Sequence, residues 1–249
     1  MSPGRPTEPP SEDATASLRK SFLGLAESGS TAARVHRVLT VAIENGDLTS
    51  GTRLAEESLA GVFAVSRTPI REALVRLEVE ALAERDRHGS LFVSGITVDQ
   101  IIEVYVVREA LDGAAARLAA GHADLLDLQQ LHHINDNLVD AARDGRYDEM
   151  AEMNIEFHAV LARASKNLIL QSFITQIHSF VRRFQTTTFS YPERAITAVT
   201  EHEAILAALE NRDGGSAESL ARDHMRRALD VRILIEADRS HPKRTRQTT

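Results

Sequence analysis

The stretch VSRTPIREALVRLEVEALAERDRHGSLFV, Val65–Val93, decides how the chain is read. Ile70, Leu74 and Leu77 recur at i, i+4 and i+7, the spacing of one buried helix face. The helix begins at Ser66, whose hydroxyl is placed to cap it. Pro69 falls in the first turn, where a missing N–H costs little. Arg67, Thr68 and Arg71 occupy the polar start of this helix. Free N–H groups and the helix dipole favour an anion there, and guanidinium forks add bidentate bonds to phosphate or guanine. Two short strands around a His88–Gly89 turn follow. This is the layout of a DNA-recognition helix and its wing.

The upstream residues complete the unit. Ala32–Asn45 carries Val35, Val38, Leu39, Ala42 and Ile43 on one face and stops at Asn45–Gly46, a helix-ending pair. GDLTSGT reads as a loop. Glu56–Phe63 gives a short second helix with Leu59, Val62 and Phe63. Helix, short helix, turn, helix and hairpin predict a winged helix-turn-helix over residues 31–95.

The segment AIENGDLTSGTRLAEESLAGVFAVSRTPIREALVRLEVEALAERDRHGSLFV, Ala42–Val93, resembles the DNA-binding domain of the GntR family of bacterial repressors. The SRTPIREAL core and the G-x-L-x-x-G-x-x-L approach to it carry the resemblance. It implies DNA contacts at Arg67, Thr68 and Arg71, with His88 and Gly89 reaching the minor groove and Arg53 meeting the backbone. Two residues depart from the family pattern. Ala81 stands where glycine is common before the first wing strand. Glu57 replaces an arginine that contacts DNA in some members; an acid repels phosphate, so no contact is expected there.

Composition bounds the class. The 249 residues are 43% hydrophobic, enough for two cored domains. Cysteine is absent, which excludes disulfides and thiolate metal sites. No apolar run approaches the roughly 18 residues of a membrane span. The N-terminus lacks the layout of a signal peptide, so a cytoplasmic location and no membrane partner are expected. The net charge of −7 opposes non-specific DNA binding, so affinity must come from local charge. Ser58–Ile70 contains arginine and no acid, in keeping with that. Residues 1–30, rich in Pro, Ser, Thr, Gly and Glu, read as a disordered arm with at most a transient helix over Leu18–Ala26. Residues 239–249 read as a disordered polar tail.

From the junction at Gly95–Thr97 onward the pattern is helical. Six helical stretches fill residues 97–238: one ending at Gly121, one at Gly145, RYDEMAEMNIEFHAVLARAS, LILQSFITQIHSFVRRFQ behind Asn167, RAITAVTEHEAILAALENRD, and SAESLARDHMRRALDVRILIEAD. Alanine and leucine dominate, and strand-like alternation is absent. The fold class is therefore mainly α, an antiparallel helical bundle behind the winged helix. Asn154 and His158 share a helix face at i and i+4, while His202 and His224 lie on later helices. Three imidazoles in a bundle core suit zinc, nickel or manganese, although such spacings also fit hydrogen-bonded core histidines.

VVREALDGAAARLAA, NIEFH, ASKN, EHEAIL and DHMRRAL resemble the ligand-binding domain of the FadR subfamily of GntR regulators, the FCD type. The resemblance implies a divalent metal, zinc before nickel or manganese, on Asn154, His158, His202 and His224. Asn154 stands where aspartate is usual and brings no negative charge. Glu201 and Asp223 adjoin two of the ligands and so point about 100° away, giving no compensation. By the same resemblance Arg108 faces an effector carboxylate, the alternative being a surface ion pair with Asp112. Asn167 is a helix cap first and an effector contact second. His122, His132, His133 and His178 match no ligand position.

These readings together predict a homodimeric regulator, a repressor, that binds double-stranded DNA at an inverted repeat and is controlled by a small carboxylate. A metal-responsive regulator without an organic effector is the alternative. A metallohydrolase is a remote one, since three histidines can leave zinc an open position but no HExxH motif or general base accompanies them.

Overall fold

The computed structural model describes residues 9–25, 29–182, 184 and 186–240. The chain divides into two compact units, Met1–Ile96 and Thr97–Thr249. In the first, α1 (Glu12–Gly24) precedes α2 (Thr31–Glu44), α3 (Glu56–Phe63), α4 (Arg67–Val79) and the hairpin β1 (Ala83–Arg85) and β2 (Leu91–Val93). The strands pair antiparallel, with Ala83 opposite Val93 and Arg85 opposite Leu91. Arg53 adds a bridge to Phe92 and so ties the loop before α3 to the wing. This is a winged helix-turn-helix. Val35, Leu39, Leu59, Ile70 and Leu77 form its core, the last two from the face of α4 that the spacing predicts.

The predicted disordered arm is corrected. Ser11 accepts a capping bond from the Ala14 N–H at 3.2 Å, and α1 runs from Glu12 to Gly24. Ala14, Leu18 and Phe22, at i, i+4 and i+8, are buried in the same core. Phe22 lies 5.0 Å from Phe63 between ring centroids, and the Arg34 guanidinium sits 4.4 Å from the centroid of the Phe22 ring and donates to the Phe22 carbonyl. The apolar stripe outweighs the loop-like composition around it. Ala26 and residues 1–8 lie outside the described residues.

Two local features depart from expectation. Ser66 is the N-cap of α4 by its backbone, yet its hydroxyl caps no N–H among the described residues. Ala81 holds φ of 55°, the left-handed conformation that glycine adopts freely and that costs an L-residue about 1–2 kcal/mol. The sequence departure at this position is therefore a strained turn.

The second unit is all helical: α5 (Val98–His122), α6 (Leu125–Asp144), α7 (Tyr147–Ala164), α8 (Leu168–Arg182), a 3-10 turn at Thr188–Ser190, α9 (Pro192–Glu210) and α10 (Gly214–Ser240). Helix α10 takes in Arg239 and Ser240, the first two residues of the predicted tail; 241–249 lie outside the described residues. Thr97 and Gln100 form a reciprocal capping box on α5, and Asp124 and Asp127 form one on α6. The core joins Phe157, Leu161, Leu131, Leu138, Ile205 and Leu206 to alanines 116, 119, 120, 217 and 221. Small residues bring α5 and α10 close together. A Cβ on Gly113 would lie 2.7 Å from Arg222 Cγ.

Phe22→Ala tests whether α1 belongs to the core. Truncating a buried phenylalanine costs about 3–5 kcal/mol, whereas a residue on a disordered arm costs almost nothing. Urea unfolding of the two proteins measures the difference; a loss within about 0.5 kcal/mol would return α1 to the solvent.

Candidate functional site

The winged helix collects its cations in one cleft of 410 Å³, lined by Arg53, Arg67, Arg71, Arg85, His88 and Gly89 together with Glu56 and Glu57. Five of the six residues expected to meet DNA thus share one concave face. The sixth, Thr68, lines an adjoining depression with Arg71. Helix α4 supplies Arg67 and Arg71 from its first turns, and β2 anchors the loop that carries Arg53. The wing turn is built on Asp86, whose Oδ1 accepts from the His88 and Ser90 N–H groups at 2.9 Å each. Gly89 sits at φ of 80°, which explains the glycine. Arg85 donates to the Gly89 carbonyl and to Glu78. Sequence reasoning missed this arginine, because only strand pairing brings it to the cleft.

Glu56 was also missed. Arg71 Nε and Nη2 donate to its two carboxylate oxygens at 2.9 and 2.8 Å, and Arg67 Nη2 donates at 3.2 Å. These bonds, above all from Arg71, hold the Glu56 carboxyl down at about 2. Both arginines are largely exposed, with 62% of each side chain accessible. Exposed pairs of this kind contribute only about 0–1 kcal/mol, so a phosphate or a guanine edge can displace Glu56 at small cost. Until then the carboxylate keeps both forks together. Glu57 is exposed and leaves its position without a cation, as its sequence implies.

The bundle holds the second site. His158 of α7, His202 of α9 and His224 of α10 are buried and converge, with one ring nitrogen from each lying within 4.8 Å of the others. Ring centroids are 4.7 Å apart for His202 and His224, 5.2 Å for His158 and His224, and 5.6 Å for His158 and His202. Phe157 stacks on His202 at 3.9 Å and fixes its plane. Both ring nitrogens of His158 and of His202, the Asn154 Oδ1 and both Asp112 oxygens are buried without a hydrogen-bond partner among the described residues. Buried polar atoms are almost always satisfied, so several orphans around one cluster point to a bound species. Neutral imidazoles and an amide oxygen suit a borderline divalent cation. The residues present therefore fit a metal.

The expectation that no acid compensates is corrected. Glu201 does point away from His202, but it lands on His224, with Oε2 2.6 Å from Nδ1. Buried Arg194 donates to the same oxygen at 2.6 Å, and Arg227 donates to the other at 2.9 Å. Arg194 Nη2 also lies 3.2 Å from His224 Nδ1, yet arginine has only protons to give. The shorter contact, to the carboxylate, therefore puts the proton on Nδ1 and leaves the lone pair on Nε2.

Arg108 and Asp112 do form an i, i+4 pair, at 3.9 Å, but it is buried rather than on the surface. Asp112 Oδ1 also lies 3.1 Å from His158 Nδ1. Burial pushes the Asp112 carboxyl up, but the nearby His158 ring and the charge of Arg108 outweigh it and hold the group at about 2. His178 of α8 is buried with its ring centroid 6.5 Å from that of His158, so it belongs to this region although its sequence position gave no hint. Asn167 is exposed, and its Oδ1 accepts from the Leu170 N–H as the cap of α8; it is not brought to the cluster by any contact.

A winged helix with a cationic cleft, followed by an all-helical unit, is the layout of a DNA-binding transcriptional regulator. Residues 31–93 match the family of bacterial regulatory proteins called gntR, and residues 103–227 match the FCD domain. The chain belongs to the GntR family and carries an FCD domain of the FadR-like kind. It is 28% identical to an HTH-type transcriptional regulator of Bacillus subtilis strain 168, YdhC, over 71% of this chain and 79% of that protein. It is 26% identical to the HTH-type transcriptional repressor RspR of Escherichia coli strain K12, over 77% of this chain and 84% of RspR. Among solved structures, McbR/YncC of E. coli superposes with a TM-score of 0.65 at 23% identity, over 84% of this chain and 99% of that one. No helix among the described residues is long and apolar enough to cross a membrane.

The buried histidines give the bundle a defined acid response. Burial pushes His178 down to about 3, with the Arg108 charge adding to it. Burial pushes both His202 and His224 well below the usual range, helped at His202 by the neighbouring imidazoles and at His224 by the charge of Arg194. The unfolded chain therefore takes up protons at about 6.5 while the folded chain does not. Stability contributed above that pH is lost as pH falls below about 6.5, down to about 3 in the case of His178, by at most about 1 kcal/mol per pH unit for each histidine. Chelator-treated protein unfolded in urea at pH 8, 6, 5 and 4 tests this, and stability that rose toward acid would contradict it.

Proposed function

We propose that the chain is a cytoplasmic repressor that binds an inverted-repeat operator as a homodimer and is controlled by a small carboxylate held in the metal-containing bundle. The observation that carries the reading is the buried three-histidine cluster beside Arg108, set in the domain that FCD regulators use for ligands. Asn154, His158, His202 and His224 would hold the ion, with zinc favoured by the imidazole-rich set. When bound, the ion supplies a Lewis-acidic anchor for a carboxylate oxygen.

Charge supports an anionic effector. The buried cations nearest the cluster are Arg108 and Arg194, and the buried anions are Asp112 and Glu201. These cancel in pairs, so a divalent ion leaves uncompensated positive charge in a low-dielectric core. A carboxylate reduces that charge. Arg108 Nε is buried without a hydrogen-bond partner among the described residues, in keeping with a role in orienting such a group.

Each winged helix would enter one major-groove half-site through Arg67, Thr68 and Arg71, while His88 and Gly89 approach the minor groove and Arg53 and Arg85 the phosphates. Pairing is supported by α8, which exposes Ile169, Phe173 and Phe180 along one face and suits a second copy of the same bundle. RspR carries the word repressor in its name, which supports that sign of control here.

Two experiments test the reading. In selection from a random double-stranded DNA pool, the wild-type chain should enrich an inverted repeat, and Arg71→Ala should weaken binding to the enriched site by about 1–3 kcal/mol. Unchanged affinity would remove α4 from the DNA. Thermal shift with lactate, gluconate and small dicarboxylates, run with zinc and with chelator, should show concentration-dependent stabilisation that disappears with chelator. Shifts that survive chelation would move the effector onto Arg108 alone. A shift with zinc and none with any carboxylate would make the ion itself the signal.

A further inference from the structure

The cation site contains an amide where a carboxylate would bring charge. Three imidazoles, with the Asn154 oxygen one helical turn before His158, would give an ion four donors and no anion among them. Two buried carboxylates nevertheless stand directly behind the ligands. Glu201 touches His224 Nδ1 at 2.6 Å. Asp112, fully buried on α5, touches His158 Nδ1 at 3.1 Å, and its other oxygen faces Arg108 at 3.9 Å. Asp112 is not one of the residues whose donor atoms lie within 4.8 Å of one another, so it reaches the site through His158 and not as a fourth donor.

We infer that Asp112 is a positioning residue of the metal site and that it delivers, through the His158 ring, the anionic charge that Asn154 lacks. The inference rests on the proposal that the cluster binds a divalent cation. With the proton on Nδ1, 3.1 Å from the Asp112 carboxylate, the other ring nitrogen of His158 is left as the free lone pair. A carboxylate on one imidazole nitrogen makes the opposite nitrogen a stronger donor and holds the ring plane. Glu201 acts in the same way on His224, so two of the three imidazoles carry an anion behind them. His202 is held by stacking on Phe157 instead.

Location separates this role from a merely structural one. Were Asp112 present only to neutralise Arg108, its nearer contact would be to the guanidinium. The imidazole contact is shorter by 0.8 Å, 3.1 against 3.9 Å. Helix α5 also has no donor of its own in the three-histidine cluster, so Asp112 is its link to it.

The test titrates zinc into the chelator-stripped full chain against a competing chromophoric chelator. Four proteins are compared: wild type, Asp112→Asn, Asn154→Ala and the double variant Asp112→Asn with Asn154→Asp. Loss of a carboxylate behind a histidine ligand weakens metal binding by about 10–100-fold, and this is expected of Asp112→Asn. The double variant should recover most of that loss, because a carboxylate returns to the site at residue 154. A purely structural role for Asp112 would not be rescued there. Asn154→Ala should weaken zinc binding by less than Asp112→Asn does. Asp112→Asn with wild-type affinity, or a double variant with no recovery, would overturn the inference. If Asp112→Asn does not fold, Asn154→Ala decides: a loss of about 100-fold would place the deciding donor at 154 and overturn the inference, and a loss of a few-fold would support it. A wild-type chain that binds no zinc fails at the earlier step, and the metal reading falls together with this one.

Discussion

Burying imidazoles and carboxylates inside an alanine-rich bundle is the constraint on which the second unit depends. Alanines 116, 119, 217 and 221, with Gly113, bring α5 and α10 close together. Close helices leave little room for water, so every polar group placed there must be answered by another. Glu201 is answered three times, by Arg194, Arg227 and His224, and Arg194 also reaches the His224 carbonyl. Asp112 and His158 face each other without a hydrogen bond of good geometry. Glu201 and His224 are thus answered, whereas Asp112 of α5, Asn154 and His158 of α7 and His202 of α9 keep buried polar atoms without a hydrogen-bond partner among the described residues. That asymmetry locates where a cation and an anionic ligand would add most.

The DNA-reading head follows a different rule, because its charges are exposed. A chain with net charge −7 cannot rely on its overall field to find nucleic acid. The cleft at α4 and the wing answers this by concentrating Arg53, Arg67, Arg71 and Arg85. Glu56 then acts as an internal stand-in for phosphate, because one carboxylate accepts from two arginines at 2.8–3.2 Å. Such a clamp lowers affinity for anions in general, since the arginines are already paired. It also cuts the ordering cost for a partner that presents acceptors where Glu56 does, because the forks are already aligned. A duplex that presented acceptors there would gain over a loose polyanion by that trade.

Periodicity made most of the architecture legible. The i, i+4, i+7 spacing of Ile70, Leu74 and Leu77 identified α4, and turn residues at His88–Gly89 identified the hairpin. The same signal was present in α1, where Ala14, Leu18 and Phe22 repeat at four-residue intervals behind Ser11. There the abundance of Pro, Ser and Gly nearby outweighed the stripe, and the helix was read as part of an arm. Local composition describes what a segment prefers alone; three buried side chains describe what it gains by packing.

The functional residues divide along the same line. His158, His202 and His224 were legible as candidates through the family resemblance, and helix-face spacing added only the pairing of Asn154 with His158. Asp112, Glu201 and His178 were not, because which neighbouring helix a buried side chain meets is a property of packing and leaves no mark on its own spacing. Glu201 shows the reason most plainly. Helix geometry correctly turns it away from His202, one residue along α9, and that argument ends at the helix surface. The direction that leads away from one ligand leads, across the α9–α10 contact, to another. In a bundle whose ligands come from three helices, a residue adjacent in sequence to one ligand is well placed to support a different one. Carboxylates behind such a centre should therefore be sought on the helices that flank each ligand rather than on the turn that carries it.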